Sequence, residues 1–187
     1  MNTIPRRVWL EISLDTLTRN YRKIADAVAP SSVLTVLKAN AYGLGVVPIA
    51  ESLAKAGASG FGVAEPYEAL QLLPLGRPVQ ILSSILPEEI DPMVAAGVTL
   101  PVTDLATARL ISASAARQGR TATVHFKLDT GMGRLGILAD EAPDVIRQSH
   151  ALPGLCCEGI FSHFPFAYET GSELTNHQMD LFCAILA

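Results

Sequence analysis

Three side chains that can do chemistry lie at the ends of predicted strands. Lys38 follows the apolar run at 33–37, Arg134 lies in a glycine-rich loop after 121–128, and His163 follows the strand predicted at 156–161. An amine, a guanidinium and an imidazole can together bind an anion and move a proton. Because α/β folds bind ligands beyond the carboxyl ends of their strands, the sequence predicts that these three side chains face one site.

Lys38 is the strongest candidate for a nucleophile. It ends the run VLTVL at 33–37, which we predict to be a strand buried on both faces. Lysine is rarely fully buried unless it is paired or takes part in chemistry. Partial desolvation favours the neutral amine, which is nucleophilic and can form a Schiff base with a carbonyl compound. From the residues alone, the alternative is a strand-end lysine whose ammonium extends to solvent.

Short apolar strands alternate with helices along the chain. The strands are predicted at 33–37, 61–64, 79–82, 98–102, 121–128 and 156–161, and the helices at 13–28, 46–58, 65–73, 87–96, 105–118, 140–150 and 175–187. This alternation predicts an α/β fold with parallel strands. A barrel and an open doubly wound sheet both fit it, because periodicity does not distinguish them. The alternating segment VWLEI at 8–12 predicts one further short strand.

The composition is that of a globular protein, and it argues against several classes of partner. The 187 residues are 49% hydrophobic and 17% charged, with a formal net charge of -4. Mild acidity without a basic run argues against nucleic acid or an anionic membrane surface. No apolar stretch approaches the ~20 residues that span a bilayer, and the N-terminus does not read as a secretory signal. The three cysteines form neither a disulfide framework nor a zinc spacing, so we expect no metal site and a cytoplasmic protein.

A competing interpretation comes from the glycine-rich loop. Gly131, Gly133 and Gly136 fit the GxGxxG dinucleotide fingerprint, and Glu158 follows at about the twenty-residue distance expected of a ribose-binding acid. The fingerprint requires a helix that opens within the glycines, so that its amides meet the pyrophosphate. Here the next helix signal is Asp140, which comes several residues too late. The sequence therefore disfavours nucleotide binding.

Three segments of the chain resemble the alanine racemase family. They are KANAYGLG from Lys38, KLDTGMGRLG from Lys127, and EGIFSHF, which contains His163. The six-residue core KANAYG is a specific signal, and the likeness runs through nearly the whole chain. At Leu44 the family often has histidine.

The resemblance implies a fold and a domain organisation. It favours the barrel: a TIM-type (β/α)8 barrel of the fold-type III pyridoxal-phosphate enzymes, here incomplete with about six βα units. Residues 13–187 are expected to form this partial barrel. The strand within residues 1–12 is expected to pair with a C-terminal β domain that is absent from the chain.

The resemblance also implies a role for each site residue. Lys38, Arg134 and His163 are the expected catalytic residues, and all three are expected to contact the cofactor, pyridoxal 5'-phosphate, with Lys38 attached to it covalently. Tyr42 is expected to hydrogen-bond the cofactor's phosphate, and Arg134 to bind its phenolic oxygen and the substrate carboxylate. The lysine that matches Lys127 is carbamylated in many members; carbamylated and plain lysine both stay open here.

The implied function is that of an alanine racemase, a homodimer that interconverts L-alanine and D-alanine by proton transfer at Cα. The family takes its opposite-face base, a tyrosine, from the second domain of the other subunit, so this chain alone is expected to be inactive. The alternative of another class is a pyridoxal-phosphate-binding barrel without racemase activity, like the cofactor homeostasis proteins. A racemase that prefers another small amino acid, such as serine, is also consistent with the segments.

Overall fold

Parallel strands and helices alternate along the chain, as the sequence predicts. The computed structural model describes residues 7–186. Its strands are β1 Leu34–Val36, β2 Gly60–Val63, β3 Val79–Ile81, β4 Leu100–Val102, β5 Ala122–Asp129, β6 Ile137–Leu138 and β7 Leu155–Phe161. Its helices are α1 Leu14–Ala27, α2 Val46–Ala56, α3 Pro66–Leu72, α4 Pro87–Ala96, α5 Leu105–Arg117, α6 Ala142–His150 and α7 Glu173–Leu186, and a 3-10 turn, Leu73–Leu75, follows α3.

The order of the strands distinguishes the two architectures that the sequence left open. β1 pairs with β2, β2 with β3, β4 with β5, and β5 with β7, all in parallel. Hydrogen bonds from Ile81 N to Thr99 O (3.0 Å) and from Thr99 N to Val79 O (2.9 Å) join β3 to the start of β4. An open doubly wound sheet reverses its strand order at a switch point, whereas a barrel keeps chain order. The observed order is therefore that of a barrel.

Side-chain caps begin two of the helices. Thr16 N donates to Ser13 Oγ (3.2 Å) at the start of α1, and Thr107 N donates to Asp104 Oδ1 (2.7 Å) at the start of α5. Each such cap stabilises a helix by about 1 kcal/mol. Asp140, the helix signal in the sequence, does not cap α6, which begins after Glu141 without a side-chain cap. No helix within residues 7–186 is long and apolar enough to cross a membrane.

β1 is less buried than the sequence predicts. Leu34 is 36% exposed and Val36 is 40% exposed. β1 pairs only with β2 in the part of the chain that the structure describes. Its composition is that of a strand covered on both faces, but it stands at an open edge of the sheet. The prediction of full burial is therefore wrong for this strand.

Residues 8–12 do not form the predicted strand. The segment pairs with no strand of residues 7–186, and Val8 and Trp9 are 83% and 70% exposed. Alternation alone does not make a strand, since its backbone N–H and C=O groups need a neighbour to pair with. Pairing of this segment with a second domain stays a prediction. Residues 1–6 of the predicted N-terminal segment lie outside the described residues.

Candidate active site

One cavity lies beyond the carboxyl ends of the strands and contains every site residue predicted from the sequence. Its volume is about 520 Å³, and Lys38, Tyr42, Lys127, Arg134 and His163 all line it. These residues come from the loops and ends of β1, β5 and β7. Since β1 and β7 stand at opposite ends of the strand order, a cavity that they share requires the sheet to curl.

The cavity wall carries positive charge without an acidic partner. Lys38, Lys127 and Arg134 line it, and within residues 7–186 no aspartate or glutamate does. Like charges in a partly desolvated cavity repel one another, and a bound anion would offset this repulsion. Leu82 and Phe161 add apolar surface to the same wall. The cavity therefore suits a ligand that is anionic and carries an apolar, ring-sized body.

Lys38 is followed by a backbone turn that the sequence did not predict. Residues 39–42 all have left-handed φ values, between 53° and 57°. For residues other than glycine this conformation costs roughly 1–2 kcal/mol each. Such a turn persists only where its surroundings hold it. The turn places both Lys38 and Tyr42 on the cavity.

Asn40 fixes the left-handed turn to the helix that follows. Val46 N, at the start of α2, donates to Asn40 Oδ1 (2.8 Å), and Gly45 N donates to Asn40 O (3.0 Å). Within the turn itself, Ala41 N donates to Leu37 O (2.8 Å). The start of α2 is thus part of the support for the Lys38 loop.

Lys127 is a buried amine inside β5. It is 4% exposed, its ammonium donates to the carbonyl of Leu82, and it lies 5.3 Å from the centre of the Phe161 ring. No carboxylate of the described residues forms a salt bridge with it. Burial, and then the positive charges of Arg134 and Lys38, lower the pKa of Lys127. Deprotonation to the neutral amine is therefore easier for Lys127 than for a solvent-exposed lysine.

Asp129 organises the loop that carries Arg134. Its carboxylate accepts hydrogen bonds from the backbone N–H groups of Gly131 (2.9 Å), Gly133 (3.1 Å) and Arg134 (2.9 Å). Burial raises the pKa of Asp129, but these backbone donors outweigh it and the pKa falls below its usual value. Gly136 closes the loop against β5: a Cβ there would lie 2.7 Å from Asp129 N. Sequence reasoning missed Asp129, although a carboxylate before alternating glycines is a usual signal for such a loop.

The same hydrogen bonds argue against a dinucleotide site. The N–H groups of Gly131 and Gly133 point at a carboxylate of the chain and not at a ligand. The next helix begins at Ala142, well beyond the glycines. Glu158, the candidate ribose ligand, has its Oε2 3.0 Å from Nε2 of His125.

His163 follows β7 and lines the cavity with an exposed imidazole. The buried Gln178 of α7 donates from Nε2 to His163 O (3.5 Å). Partial burial, and then the positive charges of Arg134, Lys127 and Lys38, lower the pKa of His163. The lower pKa favours the neutral imidazole over the imidazolium.

Two hydroxyl groups join the Arg134 loop to the His163 loop. Thr130 Oγ1 and Ser162 Oγ lie 2.8 Å apart, and Ser162 Oγ donates to Leu128 O (3.0 Å). These contacts fix the ends of β5 and β7 against each other, so the two loops keep one relative position.

Comparison with known proteins identifies the family. The model of the alanine racemase N-terminal domain matches residues 12–187. The chain belongs to the alanine racemase family. The alanine racemase of Desulforamulus reducens is 39% identical in an alignment of 183 positions that covers 96% of this chain and 50% of that protein. The alanine racemase of Halothermothrix orenii is 33% identical in an alignment of 186 positions that covers 98% of this chain and 49% of that protein. The chain thus spans about half the length of the curated relatives it matches.

Solved racemase structures share the fold. Alanine racemase from D-cycloserine producing Streptomyces lavendulae aligns with a TM-score of 0.91 at 30% identity, covering 98% of this chain and 50% of that one. Alanine racemase of Clostridium difficile 630 aligns with a TM-score of 0.87 at 30% identity, covering 92% and 46%. A histidine racemase from Leuconostoc mesenteroides aligns with a TM-score of 0.83 at 25% identity, covering 90% of this chain and 46% of that one. The predicted fold class, an incomplete TIM-type barrel of the fold-type III enzymes, and the predicted racemase resemblance are both confirmed.

Proposed function

We propose that the chain supplies the cofactor-binding barrel of a pyridoxal-phosphate-dependent alanine racemase. The observation that supports this best is the cavity: three segments, each resembling a different part of a racemase site, place their side chains around it. Its lysines and arginine fit the cofactor's anionic phosphate and phenolic oxygen, and its apolar wall fits the pyridine ring. Bound pyridoxal phosphate supplies the electron sink that allows an amino acid to lose its Cα proton.

Each lining residue has a task that its chemistry suits. Lys38 Nζ would hold the cofactor and would take or return the Cα proton on one face of the substrate. Arg134, which cannot deprotonate and offers a fork of donors, would bind the substrate carboxylate and the phenolic oxygen. The phenol of Tyr42 would donate to the phosphate. His163 would contact the cofactor, and its imidazole in the neutral form would add no further positive charge.

The remaining parts of the site are proposed from the family resemblance. We expect a cytoplasmic homodimer in which a tyrosine of a second domain is the proton donor and acceptor on the opposite face. The exposed apolar side chains of residues 8–12 support the pairing of that segment with further protein surface. On this proposal, racemisation needs both the residues of this cavity and the tyrosine of the second domain.

Chiral analysis tests the proposed reaction. Protein expressed from the full coding sequence, loaded with pyridoxal phosphate, is expected to convert L-alanine to D-alanine faster than it converts L-serine or L-histidine. Time courses of both enantiomers, read by chiral chromatography, measure the three rates. Faster conversion of serine or histidine would contradict the proposal that alanine is the substrate. Capture of the cofactor on Lys38 without any racemisation would support the cofactor-binding alternative instead.

We also propose that Lys127 is carbamylated. Its neutral amine adds to CO2 and releases one proton, which leaves a carboxylate among the cations of the cavity. Because its pKa is lowered, uptake should begin at lower pH than for an exposed lysine and rise with pH as the amine loses its proton. In 13C-bicarbonate, NMR should show a carbamate signal that Lys127→Ala removes and Lys55→Ala, an exposed control, retains. Wild-type protein without the signal, or an unchanged signal in Lys127→Ala, would reject the modification.

A further inference from the structure

We propose that Glu68 is a positioning residue for Lys38, an inference that rests on the proposed function. Glu68 lies in α3, is 8% exposed, and forms no salt bridge with any residue of 7–186. A buried carboxylate is costly unless hydrogen bonds compensate it. Those of Glu68 come from backbone N–H groups, and one of these belongs to the left-handed turn after Lys38.

The carboxylate of Glu68 joins the loops that follow the first two strands. Its Oε1 accepts from Asn40 N (3.2 Å), inside the left-handed turn. Its Oε2 accepts from Ala64 N (2.9 Å) and Glu65 N (3.3 Å), at the end of β2 and the start of α3. The Lys38 loop is thereby fastened to a neighbouring βα unit as well as to its own helix.

This fastening matters because the turn is unfavourable by itself. Residues 39–42 hold left-handed φ values that alanine, asparagine and tyrosine rarely adopt. The other hydrogen bonds of residues 39–42 lie within residues 37–46, and this segment is joined to β2 just before the turn, where Leu37 N donates to Gly62 O (2.8 Å). The bond from Asn40 N to Glu68 ties the turn itself to the neighbouring βα unit, and a hydrogen bond to a charged acceptor is stronger than one between neutral groups. Loss of the Glu68 bond should therefore let the turn shift, and Lys38 and Tyr42 with it.

Helix α4 offers a matched control within the same chain. Pro87 opens α4 as Pro66 opens α3, and Glu89 occupies the same place in the first turn as Glu68. Glu89 Oε2 accepts from Leu86 N (2.9 Å), which is the same type of helix-start bond, but in residues 7–186 it has no bond to a site loop. Glu89→Gln therefore affects a cap alone, whereas Glu68→Gln, which has a single acceptor oxygen, cannot keep both the cap bonds and the link to the Lys38 turn.

The rate at which Lys38 captures pyridoxal phosphate separates positioning from capping. Protein from the full coding sequence is mixed with the cofactor and quenched with borohydride at successive times. Peptide mass mapping then quantifies the modified Lys38, and urea unfolding without cofactor gives stability. We expect both variants to lose stability, Glu68→Gln more because three backbone N–H groups donate to its buried carboxylate, but only Glu68→Gln to slow capture at Lys38, by about tenfold or more. Glu68→Asp, which is too short to keep both groups of bonds, should slow it similarly and provides a second variant.

Two outcomes would overturn the positioning role. One is capture in Glu68→Gln at the wild-type rate; the other is equal slowing in Glu68→Gln and Glu89→Gln, which would reduce the effect to capping. Wild-type protein that captures no cofactor on Lys38 would instead overturn the proposed function itself, and the positioning role with it.

Discussion

In protein from the full coding sequence, Lys38→Ala is expected to abolish cofactor capture and to lower the rate of alanine racemisation by more than about 10³-fold. On the proposed function, the substitution removes both the amine that attaches the cofactor and the base on one face of Cα. Lys127, the other lysine of the cavity, is buried against Leu82 and Phe161 and is not free to replace it. Borohydride capture and chiral chromatography measure the two losses.

The control for this loss is Lys55→Ala. Lys55 lies in α2, the helix after the Lys38 turn, and is exposed. Its removal changes the net charge equally but does not alter the cavity wall, so capture and racemisation should stay at wild-type levels. Racemisation by Lys38→Ala at a rate near that of Lys55→Ala would show that another group does this chemistry.

Arg134→Lys is expected to lower kcat/KM for alanine by roughly 10–100-fold, the effect of losing one hydrogen bond to a charged group. Lysine keeps the positive charge but not the planar fork that serves two oxygens at once. The loop should remain in place, because Asp129 holds it through the backbone N–H of residue 134, which any side chain retains. Steady-state kinetics of both enantiomers give the ratio.

Arg147→Lys is the matched control for the arginine. Arg147 is exposed in α6 and pairs with Asp144 (2.7 Å), outside the cavity. It should leave kcat/KM unchanged. If kcat/KM of Arg134→Lys equals that of Arg147→Lys, a positive charge alone is sufficient at position 134, and the proposal that the guanidinium binds two oxygens is wrong.

The regular elements were predictable because each has a strong local pattern. The ends of six strands and seven helices lie within two residues of those predicted, since apolar periodicity and terminal Pro, Gly, Ser and Asp mark them. The strand predicted at 8–12 does not form, and the two-residue strand β6 was not predicted. The choice of a barrel was not derivable from periodicity and depended on the resemblance. Burial of β1 was predicted wrongly. Its residue types are those of a buried strand, but burial also requires a second neighbouring strand, and a local sequence pattern carries no information about that neighbour.

The grouping of the candidate residues in one cavity was predictable for side chains with reactive groups, but not for side chains that only hold the backbone. Lys38, Arg134 and His163 could be predicted to share a cavity because each follows a strand in a recognisable segment. Asp129 and Glu68 act by accepting backbone N–H bonds, and the partner of Glu68 lies 28 positions away in the chain. The left-handed turn was missed for a related reason: its residue types favour the right-handed region, and contacts outside the turn decide its conformation.

The most direct test of the proposed site is to locate the bound cofactor on the chain. Protein loaded with stoichiometric pyridoxal phosphate is reduced with borohydride, digested, and mapped by mass spectrometry. The modification is expected on a single lysine, Lys38, in the peptide that contains KANAYG. Modification at Lys55 or Lys127 in place of Lys38, or scattered at low level over exposed lysines, would contradict the site.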